Sequence, residues 1–148
     1  MTTEIVTEKG VYVGLKPTKK ALKTLGTYVS KYLPGVKTPS EFHLTLIMHE
    51  GAWEGNVELK NEKLQLEFGN PSLPWGPGTL VTRELTGGVI YRHNHLTNDY
   101  GFKFPFPEFS CHLSLSYEWD GKDIQELPPL GTLEFQGEYV EEYNPDWS

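Results

Sequence analysis

Two short segments carry the residues best suited to chemistry, FHLTLI at 42–47 and CHLSLS at 111–116. Each reads histidine, apolar, hydroxyl, apolar, and their histidines, His43 and His112, stand 69 positions apart. In a strand, residues i and i+2 project to one face. His43 and Thr45 then point one way and Leu44 and Leu46 the other; His112 and Ser114 repeat this against Leu113 and Leu115. Brought together, the four polar groups suit transfer at a phosphodiester. A neutral imidazole can take a proton from an attacking hydroxyl, and a protonated one can give a proton to the departing oxygen. An unperturbed pKa of about 6.5 lets imidazole do both near neutral pH. The two hydroxyls can donate hydrogen bonds to the non-bridging oxygens as charge redistributes. This chemistry requires no metal and no other cofactor. One His-x-Thr in a strand is ordinary; two copies that agree in alternation at every position point to function.

Such groups need a rigid frame. Residues 11–16 (VYVGLK) alternate and read as a first strand. Thr18 is a candidate N-cap after Pro17, and Leu22, Leu25, Val29, Tyr32 and Leu33 form a helical stripe over 18–33. Pro34 and Gly35 stop it, and 36–41 is a loop. Residues 42–49 read as a strand, 51–55 as a turn, and 57–68 as one or two strands. A Pro/Gly loop over 69–78 carries Trp75, and 79–85 with 89–92 resembles a hairpin across TGG. The stretch 93–110 is irregular, 111–119 is a strand, and 133–143 is a last strand leading into an acidic tail. The expected class is α+β, with antiparallel strands, one main helix and a single domain over 1–148.

Composition narrows the partners. The 148 residues are 37% hydrophobic with 15 Gly and 11 Pro, which suits a compact domain with many turns. Net charge is −7 and the only arginines are Arg83 and Arg92, which argues against a binder of long nucleic acid. A small phosphate ligand in one local site remains compatible, with Lys16 or Arg92 as candidate phosphate contacts. The cluster Lys16, Lys19, Lys20 and Lys23 reads as a solvated helix face. No apolar run nears the ~20 residues of a membrane span, and the N-terminus lacks an apolar signal core, so a cytoplasmic protein is expected. Cys111 is the sole cysteine, expected as a small buried residue and pointing away from His112 in a strand. His49, on the face of His43 by simple alternation, together with His93 and His95 invites a zinc reading. No CxxC or HExxH accompanies them, so no metal site is expected.

The paired His-apolar-Ser/Thr-apolar motifs resemble the 2H phosphoesterase superfamily. Within it, the small size and acidic balance resemble the phage anti-CBASS phosphodiesterases, with looser support from VYVGL, the Trp75 loop and the acidic stretch around Glu141. The resemblance implies antiparallel sheets in two pseudo-symmetric lobes around a central cleft. With no second helix evident in the sequence, the second lobe reads as reduced. It also implies a metal-independent phosphodiesterase that opens 3′–5′ bonds of cyclic di- or trinucleotide immune signals in the host cytoplasm. His43, Thr45, His112 and Ser114 are then catalytic, and Tyr12, Trp75 and Glu141 bind substrate, the two aromatics by stacking. A cyclic phosphodiesterase for RNA ends or 2′–5′ oligoadenylates would use the same four residues; a third reading, of another class, is a non-catalytic module that sequesters a nucleotide, or a β-rich interaction protein with two chance motifs.

Overall fold

The computed structural model describes residues 2–76, 78–106, 109–121 and 124–143. Its elements run β1 (Thr2–Thr7), β2 (Gly10–Leu15), α1 (Lys19–Tyr32), β3 (Leu44–Glu50), β4 (Trp53–Glu58), β5 (Leu64–Phe68), β6 (Gly78–Arg83), α2 (Gly88–Tyr100), β7 (His112–Trp119), β8 (Gly131–Phe135) and β9 (Tyr139–Glu142), with one 3₁₀ turn at Ile124–Glu126. Five strands make the main sheet in the order β6-β7-β3-β2-β9, while β1 pairs with β4 and β5 with β8. All of these pairings are antiparallel. The class is therefore α+β, and the strands bearing the two motifs are neighbours inside the main sheet.

Thr18 caps α1, its hydroxyl accepting from the Ala21 N–H at 3.3 Å. The helix buries Ala21, Leu25 and Tyr28, with Leu33 buried just beyond it. Of the expected stripe, Leu25 and Leu33 are buried and Val29 and Tyr32 pack partly against the core, while Leu22 is exposed and Ala21 and Tyr28 face inward beside them. The Tyr28 ring packs inward while its hydroxyl donates to the Pro128 carbonyl at 2.7 Å. Lys19, Lys20 and Lys23 face solvent, as a charged helix face does.

The second helix corrects the expectation of one main helix. In place of a hairpin across TGG, Gly87 at φ 73° forms the N-cap of α2. Val89, His93 and Leu96, spaced four and three apart, are its buried face. The polar run RHNH hid this stripe, since the residue on the apolar side is itself a histidine. The strand expected over 133–143 is also two strands in different sheets. It breaks at Gly137, where any Cβ would lie 2.7 Å from Asn61 Cα, and at Glu138, which turns inward to an ion pair with Arg92. The span 57–68 likewise divides between β4 and β5, and β1 was not legible. The end of the acidic tail, 144–148, lies outside the described residues.

Candidate active site

β3 and β7 meet at one antiparallel pair, Leu44 opposite Leu113. Both leucines are fully buried behind the sheet, as are Leu46 and Leu115. Each such side chain contributes roughly 1.5–3 kcal/mol by leaving water, which anchors the motif strands firmly. One step either way along the same register, His43 falls opposite Ser114 and Thr45 opposite His112. Directly opposed residues share a face, with Cβ atoms about 4.5–5.5 Å apart. Two imidazole–hydroxyl couples distant in sequence therefore converge on one side of one sheet.

The two imidazoles are held alike, each by the carbonyl two residues upstream. His112 Nδ1–H donates to the Ser110 carbonyl at 2.8 Å, and His43 bonds the Glu41 backbone. A carbonyl only accepts, so Nδ1 of His112 carries the proton and Nε2 is left for exchange. Burial pulls the His43 pKa below the ordinary 6.5, against the upward pull of the Glu41 carbonyl and of the Glu41 and Glu141 carboxylates. Burial also lowers His112, and the Arg83 and His43 charges push the same way, against the Ser110 carbonyl.

A bulge in β3 selects which side chains join them. Val13 pairs with Ile47 but Gly14 with Thr45, so Leu46 is the extra residue. Beyond it the alternation reverses: Met48 lines the cleft beside Thr45, while Ile47 and His49 turn into the core. His49 therefore does not share the face of His43, contrary to simple alternation; its Nδ1 accepts from the Lys103 N–H at 2.9 Å. The bulge carbonyl of Leu46 accepts a 2.6 Å bond from Nδ1–H of buried His93, whose ring stacks on Phe109 at 3.8 Å. His93→Phe keeps a ring but strands that carbonyl. We expect a loss of about 1–3 kcal/mol, read as a lowered midpoint in urea unfolding; an unchanged midpoint would show that the bond adds no stability.

The cleft over this face holds about 1040 Å³, enough for a nucleotide-sized ligand. Tyr12, His43, Thr45 and Glu141 line it. His112 and Ser114 do not line it; they stand on the adjoining strand, with Trp75, 60% exposed, edge-on to His112 at 5.0 Å. Tyr12 is only 3% exposed, and its ring folds over Gly14, where a Cβ would meet the Tyr12 hydroxyl at 2.8 Å. That hydroxyl bonds Thr45 Oγ1 at 3.0 Å, and the ring edge meets His43 at 5.8 Å between centroids. Burial pushes the Tyr12 pKa up to about 12, so it stays a neutral hydrogen-bonding group. Lys16 reaches the cleft through Glu141, 4.0 Å away, and lies over the Tyr139 ring. Sequence reasoning missed the walls: the 37–41 loop, Met48, Phe106, Tyr117, Tyr139 and Tyr143. Nothing in their local spacing marks them, because the fold gathers them from separate elements.

The remaining candidates are committed elsewhere. Arg92 forms a bidentate pair with Glu138 at 2.8 Å, away from the cleft. His95 pairs with Asp99 at 2.8 Å. Cys111 is half-buried, and burial, then Glu84, pushes its thiol up to about 12, so it is no ready thiolate. Among the described residues no three His, Cys, Asp or Glu side chains group as metal ligands do.

Comparison with known proteins decides the family. Residues 9–148 match the family model of Anti-CBASS protein Acb1. The chain belongs to that family. As an anti-CBASS protein it is assigned to evasion of CBASS immunity, and the match spans both motif strands, α1, α2 and the cleft. No curated protein matches the sequence. No helix among the described residues is long and apolar enough to cross a membrane.

Proposed function

We propose that this Acb1-family protein is a metal-independent phosphodiesterase that opens 3′–5′ bonds of cyclic di- or trinucleotide signals, in the cytoplasm of the infected host. The observation that carries the reading is the Leu44–Leu113 register, which sets His43, Thr45, His112 and Ser114 on one face. We further read the two motif-bearing halves as the pseudo-symmetric lobes of a 2H phosphoesterase. The substrate's own 2′-hydroxyl is the nearest nucleophile. One histidine takes its proton as oxygen attacks phosphorus, and the P–O5′ bond breaks as the other histidine protonates the leaving oxygen. The product is a linear oligonucleotide ending in a 2′,3′-cyclic phosphate, which water can open with the histidine roles exchanged. Thr45 and Ser114 donate to the non-bridging oxygens, with Tyr12 fixing the Thr45 hydroxyl. Trp75 supplies a stacking face, Tyr12 a ring edge, and Glu141 an acceptor for a base edge. Net charge −7 favours such a small ligand over long RNA.

The pH dependence follows from the two lowered pKa values. Catalysis needs one imidazole neutral and the other protonated, so activity peaks between their pKa values. Both lie below the ordinary 6.5 in the free protein. The bell in kcat/KM therefore peaks on the acid side of that value. A bound phosphodiester anion stabilises both imidazolium forms, so the kcat bell moves to higher pH. Initial rates on a cyclic dinucleotide with excess chelator, over roughly pH 5 to 9, test this. A flat kcat/KM profile with chemistry limiting would refute two-histidine catalysis.

A further inference from the structure

Arg83 is the last residue of β6, and the register sets it directly opposite His112. Opposed residues of an antiparallel pair share a face, so the guanidinium stands on the side that carries His112 and Ser114. Arg83 is exposed, and among the described residues its side chain shows no hydrogen bond or ion pair, while its backbone carbonyl accepts from the Gly69 N–H at 3.0 Å. The chain's other arginine is spent on Glu138. The groups acting on the His112 ring are Arg83 from β6, His43 from the segment before β3, the Ser110 carbonyl and the Trp75 ring edge. None is an anion, and two cation-forming groups there repel an imidazolium. An unpaired guanidinium beside such a ring is stabilised when an anion lies between them. Its planar fork fits two oxygens of one phosphate.

We propose that Arg83 is a phosphate-binding residue of this site, its guanidinium gripping the anionic oxygens of a phosphodiester seated beside His112. The idea rests on the proposed phosphodiesterase reading of the cleft, yet it can be tested without turnover. The His112 ring proton is followed by NMR through a pH titration of the full chain, wild type and Arg83→Gln, with and without inorganic phosphate as the probe. The unliganded His112 pKa is expected to rise in R83Q, while that of His43 moves less. Phosphate is expected to raise the His112 pKa in wild type and to bind R83Q about 10- to 100-fold more weakly, the size of a lost charge-assisted contact. Arg83→Lys, which keeps the charge but loses the fork, falls between. KM for a cyclic dinucleotide rises in the same order. The proposal is overturned if His112 titrates identically in wild type and R83Q, or if both bind phosphate equally. If phosphate binding depends on Arg83 but no cyclic dinucleotide is cleaved, the phosphate site stands and the phosphodiesterase reading falls.

Discussion

Replacing His43 or His112 with alanine is expected to lower kcat on a cyclic dinucleotide about 10²- to 10⁴-fold. Each variant removes one of the two proton transfers that accompany bond making and bond breaking. Neither histidine is fully buried, and the leucines behind them do the anchoring, so the fold is retained. A thermal melt near that of wild type separates lost chemistry from lost structure. Because the pair acts as a unit, the double variant costs much less than the product of the singles. A loss under about threefold in either single variant would remove that histidine from acid–base work, since such catalysis is worth far more. Thr45→Val is expected to cost less, because one hydrogen-bond donor leaves and both imidazoles stay.

Glu138→Ala is the substitution with the largest expected effect on stability. Its carboxylate is 3% exposed and the Arg92 guanidinium 9%. Besides the bidentate pair, Glu138 accepts the Lys60 N–H at 2.9 Å, and Arg92 donates to the Glu58 carbonyl at 2.7 Å. The cluster ties α2 to the segment after β4 and to the break between β8 and β9. Removing the carboxylate leaves the buried guanidinium without its counter-charge, though still bonded to the Glu58 carbonyl and His95, and the part-buried Lys60 N–H without its acceptor, at a cost of about 3–5 kcal/mol. At about 3 °C per kcal/mol for a domain of this size, Tm falls by roughly 9–15 °C. Replacing both partners with methionine costs less, since no charge is then stranded. A Tm within about 2 °C of wild type for Glu138→Ala would show that water reaches the pair and that the buried-charge argument fails.

How much of this was legible in the sequence depended on whether the signal was local. The motif pair was legible because strand alternation is a period of two and needs no partner to be read. The N-cap at Thr18 was legible for the same reason. α2 was not, because its buried stripe passes through His93, which a hydropathy pattern counts as polar. His93 is tolerated there because its Nδ1–H meets the Leu46 carbonyl. The inward turn of His49 was hidden by the single extra residue at Leu46, which inverts every later position of β3. The pairing of Arg92, weighed in the sequence as a surface residue or a phosphate contact, was not legible because Glu138, its partner, lies 46 positions away. Arg83 was overlooked because only the β6–β7 register sets it beside His112.

Product identity is the most direct test of the central account. Wild-type protein is incubated with a 3′,3′-linked cyclic dinucleotide and excess EDTA, and the products are separated and weighed by mass spectrometry. The account predicts ring opening to a linear dinucleotide that first carries a 2′,3′-cyclic phosphate. Intact substrate, or cleavage that EDTA abolishes and zinc restores, would contradict it.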